Sequence, residues 1–173
     1  MDLFEALKGR RSVRSYKDEQ IKDEELNKIL EAGEYAATGM GRQSPKMIVV
    51  QDKETIAQLS KMNAKVFGKE DMDPFYGAPV ILAVLADKNV PTYIYDGSLV
   101  LGNMLNAAES LGLGSIWIHR AKEEFELPFG KELLKNLGIE GDYEGIGFCA
   151  LGYKNKETPK ATPRKDNYIY YIR

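Results

Sequence analysis

The sequence predicts a single α+β domain in which one mixed β-sheet is flanked by helices. Helical periodicities alternate with short apolar segments along the whole chain of 173 residues. These segments are continuous apolar runs, which is typical of strands buried on both faces. No repeat, low-complexity tract or change in composition divides the chain, and its length suits one domain of ~100–200 residues. We therefore treat residues 1–173 as one domain.

Helices are predicted where apolar residues recur every three or four positions. The first covers Asp2–Lys8. The second begins near Asp23 with acidic residues in its first turn, where they suit the helix dipole, and it ends in a glycine-containing turn at 38–41. A modest helix is expected over Glu54–Met62. Mixed charge with glycine and proline predicts a loop over residues 63–76.

Strands are predicted from short apolar runs between polar residues. Met47–Gln51 and Pro79–Ala86 both have this character, and we expect both to be central strands of the sheet. The remaining elements are predicted in order as a helix at Asp96–Leu111, a strand at 115–119, a helix at 131–137 and a strand at 145–152.

The end of the chain, Asn167–Arg173, reads NYIYYIR, so aromatic and aliphatic side chains would occupy both faces of an extended segment. A solvated tail would not tolerate that much exposed apolar surface. We expect the segment to pair with a sheet edge, either in its own chain or in a partner.

The charge balance excludes several classes of partner. The net charge is −2, from 24 Lys+Arg and 26 Asp+Glu, so no overall field favours nucleic acid or an anionic membrane.

The longest apolar run, 79–86, is far shorter than the ~20 residues that span a bilayer. The N-terminus lacks the apolar core of a signal peptide, so a cytoplasmic protein is expected. Cys149 is the single cysteine, which excludes an internal disulfide and a metal cluster and predicts a buried, inert thiol.

The first candidate site is the basic segment Arg10, Arg11 and Arg14 with Ser12 between them. Several guanidinium groups and a hydroxyl in one loop are suited to bidentate contact with a phosphate. Solvated surface charge is the alternative. A nucleic-acid patch is a further one, but the alternating charges of residues 17–25 disfavour it.

Two other segments could contact a ligand. A glycine-rich turn precedes Gln43, whose side-chain amide can donate to and accept from a heteroaromatic edge. The alternative is an ordinary helix-to-strand turn that contacts no ligand. The strand at 115–119 ends in Trp117, His119 and Arg120, at the kind of position where ligands bind in layered sheets. A lone histidine such as His119 is more often a structural hydrogen-bonding group than a catalyst.

Taken in order, these segments resemble the FMN-dependent nitroreductase family, and the resemblance covers nearly the whole chain. The matching segments are RRSVRSY (10–16), EELNKILEAGEYAATG (24–39), GRQSPKMIVV (41–50), YGAPVILAVL (76–85), DGSLVLGNMLNAAESLGLGSIWI (96–118) and GFCALGY followed by PRK (147–153 and 163–165).

The resemblance implies a homodimer that binds FMN in clefts shared by both subunits. The implied FMN-binding residues are Arg10, Ser12 and Arg14, with Arg11 in the same segment; Thr38, Gly39 and Gln43; Trp117, Ile118 and His119; and Arg164 and Lys165, which would hold the phosphate. Arg14 would lie near flavin N1 and is the candidate catalytic residue, because a cation there stabilises the negative charge of the reduced ring.

The implied function is electron transfer from NADH or NADPH through FMN to a small organic acceptor such as a nitroaromatic or a quinone. A protein that only holds or senses flavin, and a colourless phosphate-binding protein, are the alternatives. Two departures stand out: Gly41 replaces a common asparagine, and Ser44-Pro45 replaces a common Pro-Trp pair. No flavin contact could be assigned within residues 63–74.

Overall fold

The computed structural model describes all residues from Met1 to Arg173. Its strands are β1 (Pro45–Val50), β2 (Val80–Asp87), β3 (Gly114–Ile118) and β4 (Tyr143–Gly152). Its α-helices are α1 (Leu3–Gly9), α2 (Asp23–Glu34), α3 (Lys53–Phe67), α4 (Tyr93–Ser110), α5 (Ala121–Glu126) and α6 (Pro128–Asn136). Short 3₁₀ turns lie at Gly39–Gly41 and Asp166–Tyr168.

The strands form one antiparallel sheet in the order β1-β2-β4-β3. Strand β2 lies at its centre, and its residues Val80–Ala86 are completely buried. Successive side chains of a strand point to opposite faces. Accordingly Ile81, Ala83 and Leu85 belong to one apolar cluster, and the residues between them belong to the other.

Helices cover both faces of the sheet, which explains why β2 is apolar from Val80 to Ala86. The cluster on one face includes Leu59 of α3 and Phe125 of α5, together with residues of α6. The cluster on the other face includes Ile29 of α2 and Met104 of α4. The domain therefore has three layers, with helices on either side of the sheet. No helix combines the length and apolar character needed to cross a membrane.

The α+β class and the four predicted strands are confirmed. The expectation that Met47–Gln51 forms a central strand is wrong, because β1 pairs with β2 alone and lies at the sheet edge. We expected a mixed sheet, but all pairs of its strands are antiparallel. The one parallel contact is an isolated bridge between Ser12 and Ser115. Cys149 is buried, and burial raises the pKa of its thiol to about 12.

The helix boundaries differ from expectation in the middle of the chain. Helix α3 continues to Phe67 and so includes the first residues of the predicted loop 63–76. It ends where Gly68 adopts a left-handed conformation (φ 74°), a usual way to terminate a helix. Helix α4 begins at Tyr93, three residues early, and the short helix α5 has no counterpart among the predicted elements.

The C-terminal residues Asn167–Arg173 do not pair with a sheet edge of their own chain. They contain only the end of the 3₁₀ turn, and all of their side chains are exposed. Pairing within the chain is therefore wrong, and the alternative of contact with a partner remains a prediction.

Candidate functional site

The N-terminal arginine segment lies along the edge strand β3. The amide of Val13 donates to the carbonyl of Ser115 at 3.1 Å, and Ser12 and Ser115 form a parallel bridge. Past Val13 the segment turns away from β3: Tyr16 forms an antiparallel bridge with Lys154, and the Ser15 carbonyl accepts from the Asn155 amide. Because Gly152 of β4 lies opposite Gly114, residues 15–17 lie beyond the first residue of β3. The resemblance to the family assigned the basic segment and the strand end to one site. In the structure both adjoin β3, the arginine segment beside its first residues and His119 directly after its last.

Tyr16 holds this segment against the sheet. Its buried hydroxyl lies 3.1 Å from the carbonyl oxygens of both Val13 and Ala150, and burial raises the pKa of its phenol. Two residues of the chain, Val13 and Tyr16, thus anchor the arginines to β3 and β4, while the Arg14 side chain stays exposed.

The arginines of this segment have no carboxylate partners. None of Arg10, Arg11 and Arg14 takes part in any of the ion pairs of the chain. The Arg14 guanidinium lies 5.9 Å from the centre of the Tyr76 ring. Arg11 donates to the Lys8 and Arg10 carbonyls, and its Nε is buried without a partner. Cations without counter-charges, and an unpaired buried donor, suit an anionic ligand.

A buried polar group fixes the end of β3. The Asn63 amide nitrogen donates to the His119 carbonyl at 2.8 Å and also to a carboxyl oxygen of Glu124. The Asn63 amide oxygen accepts from Nε of Arg120 at 2.9 Å. The Arg120 guanidinium lies 4.3 Å from the centre of the Phe67 ring. Ile118 is buried, whereas His119 at the strand end is exposed.

Sequence reasoning missed most of this group. Asn63 and Phe67 lie in a region predicted to be a loop, and Tyr76 was not assigned to the site. Glu124 lies on a helix that was not predicted. Arg120 was noted at the strand end but given no role. No sequence signal marks Asn63 or Glu124, because only the packing of α3 and α5 against β3 buries them.

The third predicted segment, Thr38–Gln43, is fixed to α4 by the buried carboxylate of Asp96. The Gly39 amide donates to one Asp96 oxygen at 3.0 Å, and the Thr92 hydroxyl donates to the other at 3.0 Å. Within the loop, the backbone amide of Gln43 donates to the Thr38 hydroxyl at 3.1 Å. A Cβ at Gly39 would lie only 2.3 Å from the Thr92 hydroxyl, so the approach to α4 requires glycine.

This loop does not lie beside the arginine segment of the same chain. It leads into β1 at one edge of the sheet, whereas Arg10–Arg14 lie along β3 at the other edge. Strands β2 and β4 separate the two, which corresponds to ~14 Å at the usual strand spacing. One chain therefore does not assemble Thr38, Gly39 and Gln43 with the arginines.

The late basic pair lies in the exposed C-terminal segment. Arg164 and Lys165 line a shallow surface cavity together with Tyr168 and Tyr171. Residues 156–159 earlier in the same segment line a cavity of about 240 Å³ with residues 12–15. The segment thus starts beside residues 12–15, and Arg164 and Lys165 line a separate cavity.

Comparison with known proteins assigns the chain to a family. A profile described as the nitroreductase family matches residues 7–153. This chain belongs to the nitroreductase family. Over 161 residues it is 35% identical to a protein of Archaeoglobus fulgidus named as an NADH dehydrogenase/NAD(P)H nitroreductase, covering 90% of this chain and 87% of that protein.

A second relative and two solved structures agree with this assignment. The FMN reductase (NAD(P)H) of Bacillus subtilis is 31% identical over 137 residues, which cover 66% of this chain and 53% of that protein. A Bacteroides fragilis nitroreductase with bound FMN superposes with a TM-score of 0.89 at 29% identity, covering 100% of both chains. One from Desulfitobacterium hafniense, also with bound FMN, gives 0.86 at 29% identity, covering 99% of this chain and 100% of that one.

The role of Asp96 in holding the glycine loop can be tested directly. Asp96→Ala removes the acceptor of the Gly39 amide, so we expect the free energy of unfolding to fall by about 1–3 kcal/mol, the cost of unsatisfied buried groups. Hydrogen exchange at Gly39 should accelerate, and chemical denaturation followed by circular dichroism gives the stability. Asp71→Ala, at an exposed position, is the control and should change stability by less than ~0.5 kcal/mol. An unchanged Gly39 exchange rate in Asp96→Ala would contradict this role.

Proposed function

We propose that this protein is an FMN-dependent oxidoreductase that passes electrons from NADH or NADPH to a small organic acceptor such as a nitroaromatic or a quinone. The observation that supports this proposal most is the arginine segment Arg10–Arg14, held without carboxylate partners beside the first residues of β3. Its fold matches FMN-bound nitroreductases over the whole chain, and its relatives are named for NAD(P)H-dependent reactions.

The residues present suit FMN better than a dinucleotide flavin. Guanidinium groups without counter-charges and the unpaired Arg11 Nε suit a single phosphate, and the chain has no GxGxxG fingerprint. Arg10 and Ser12 would bind the flavin from the arginine segment, and Trp117–His119 would line one side of its ring. Arg164 and Lys165 would hold the phosphate. When bound, FMN supplies the electron-transfer chemistry, and the protein supplies binding and orientation.

Arg14 is the residue that we assign to the chemistry. Its guanidinium lies 5.9 Å from the centre of the Tyr76 ring, and it takes part in no ion pair. A fixed cation close to N1 would stabilise the negative charge that the ring gains on reduction, and this stabilisation is larger where water is excluded. A phosphate contact, in contrast, is equally strong before and after reduction.

We also infer a homodimer in which the Thr38–Gln43 loop of one copy completes the site of the other. The support is the separation of this loop from the arginine segment by two strands within one chain. Large apolar side chains are also exposed on α1, around the glycine loop, on α4 and in the C-terminal segment: Leu3, Phe4, Leu7, Tyr35, Met40, Ile94, Tyr95, Leu99, Tyr168, Ile169, Tyr170, Tyr171 and Ile172. Exposed apolar surface of this extent is typical of an interface between subunits.

A cytoplasmic location completes the proposal. It is supported by the single cysteine, which is buried and has no disulfide partner, as is usual in reducing compartments.

The cofactor and the activity are tested together. We expect the purified protein to be yellow and to release FMN, not FAD, on heating, as identified by chromatography. The loaded protein should oxidise NADH or NADPH steadily when a quinone is added. Recovery of FAD, or failure to bind any flavin on reconstitution, would refute the cofactor. Bound FMN without nucleotide oxidation would instead indicate a protein that only holds flavin.

Arg14 and Arg164 should affect different quantities. Arg14→Ala should lower the flavin potential and slow reduction by NAD(P)H by roughly tenfold to a hundredfold, with a smaller effect on FMN affinity. Arg164→Ala should weaken FMN affinity and leave the reduction rate at saturating FMN unchanged, because a contact between Arg164 and the phosphate is equally strong before and after reduction. Stopped-flow reduction and redox titration measure both effects, and Lys135→Ala on α6 is an exposed control. Equal rates and potentials for wild type and Arg14→Ala would remove Arg14 from the chemistry.

The dimer should depend on the C-terminal segment. Deletion of Asn167–Arg173 should shift the protein from dimer toward monomer in light scattering, because it removes five exposed apolar side chains of an interface that we expect to bury ~2,000–5,000 Å². The affinity for FMN should fall as the dimer is lost, since each site needs residues from both copies. An intact protein that is a folded, FMN-loaded monomer would contradict the dimer.

A further inference from the structure

A buried polar group joins α3, α5 and the end of β3, and the electron-transfer function described above gives it no role. Its members are Asn63, Arg120 and Glu124, here called the polar brace. Asn63 and Glu124 are completely buried. Burying an amide and a carboxyl group costs free energy unless they are hydrogen bonded. A polar brace in an otherwise apolar layer therefore requires a reason.

The geometry of the polar brace centres on Asn63. Its nitrogen donates to the His119 carbonyl and to Glu124, and its oxygen accepts from Arg120, so both ends of the amide are used. Arg120 has a left-handed backbone (φ 78°), which a residue other than glycine rarely adopts without support. The Phe67 ring supports its guanidinium from one side. The brace thus fixes the backbone of the two residues that follow β3.

We propose that the polar brace is a positioning device for the flavin site, in which Glu124 orients Asn63 and Asn63 sets the position of the His119–Arg120 turn. This inference rests on the proposed function, because the end of β3 is where the flavin ring would lie. It assigns to Asn63 and Glu124 an indirect role, through the backbone of His119. It also makes the site sensitive to the protonation of one buried carboxyl group.

Glu124 fits the brace as a neutral acid. Burial raises its pKa to about 8, and the Asn63 hydrogen bond and the Arg120 charge only partly oppose this. Its second oxygen, Oε2, has no partner, so the ionised form would leave buried negative charge uncompensated. Among the other charged groups of α5, Glu123 raises the pKa further, and Lys122 pairs with Glu144 of β4 at 2.9 Å.

The direction of the pH effect follows from linkage. The pKa of Glu124 is higher in the folded protein than its ordinary value of 4.5, so the folded state binds the proton more tightly. The contribution of protonated Glu124 to the free energy of unfolding is fully present below about pH 4.5, and it is lost as the pH rises through about 8. Above that range the ionised carboxylate disturbs Asn63, and with it the end of β3.

Trp117, the only tryptophan, lies two residues before His119 and provides a measurement that needs no flavin. In the full-length protein freed of FMN, its emission should titrate between pH 6 and 9.5 with a midpoint near 8. Glu124→Gln, which keeps the size and the acceptor oxygen, should abolish this titration and preserve the emission seen at pH 7. Glu123→Gln, at the adjacent exposed position, should retain it.

FMN binding gives the second measurement. For the wild type the FMN dissociation constant should rise about tenfold between pH 7 and 9.5, the effect of roughly one lost buried hydrogen bond, whereas Glu124→Gln should show a flat profile. Asn63→Ala should weaken FMN binding about tenfold at every pH. If Asn63→Ala does not fold, Glu124→Gln alone decides.

The outcomes separate the two proposals. Equal pH profiles for wild type and Glu124→Gln, no titration of the wild type in this range, or a folded Asn63→Ala with unchanged FMN affinity would each overturn the brace. A Trp117 titration that Glu124→Gln removes, in a protein that binds no FMN, would support the positioning of β3 by the brace and refute the proposed flavin function.

Discussion

The pairing of β2 with β4 is the constraint on which the rest of the structure depends. All residues of β2 from Val80 to Asp87 have a partner in β4, and helices cover both faces of the pair. A strand buried on both faces has no room for ligand groups. The functional segments are therefore confined to the outer strands, with the glycine loop before β1 and the arginine segment along β3.

Buried polar groups attach these outer segments to the sheet and the helices. Asp96 holds the glycine loop on α4, Tyr16 holds the arginine segment on β4, and Asn63 holds the end of β3. Each bond is made by a side chain inside an apolar layer, where an alternative arrangement would leave a donor or acceptor without a partner. The loops around the site are thereby fixed more firmly than their exposed positions suggest.

The charged side chains of the arginine segment take part in no ion pair. The net charge is close to neutral at −2, so an anionic ligand has to be held by a local group of cations. Arg14 is exposed and unpaired in the segment beside the first residues of β3, while other charged side chains, such as Lys28 and Glu24, pair with each other on the surface. Since the glycine loop lies at the far edge of the sheet, its polar groups do not join these cations within one chain.

Local pattern alone predicted much of this molecule. The apolar run of β2, the stripe of α4 and the order of the segments gave the α+β class and the family, because both depend on periodicity and on the spacing of residue types along the chain. The resemblance to the family also predicted that Arg10–Arg14 and Trp117–His119 form one site, and this stays a prediction. The sequence could not show that β1 is an edge strand, that Thr38–Gln43 lies across the sheet, or that Asn63 and Glu124 meet at the end of β3. These features depend on contacts between residues far apart in the chain, and only tertiary packing creates the burial that gives Glu124 its pKa of about 8.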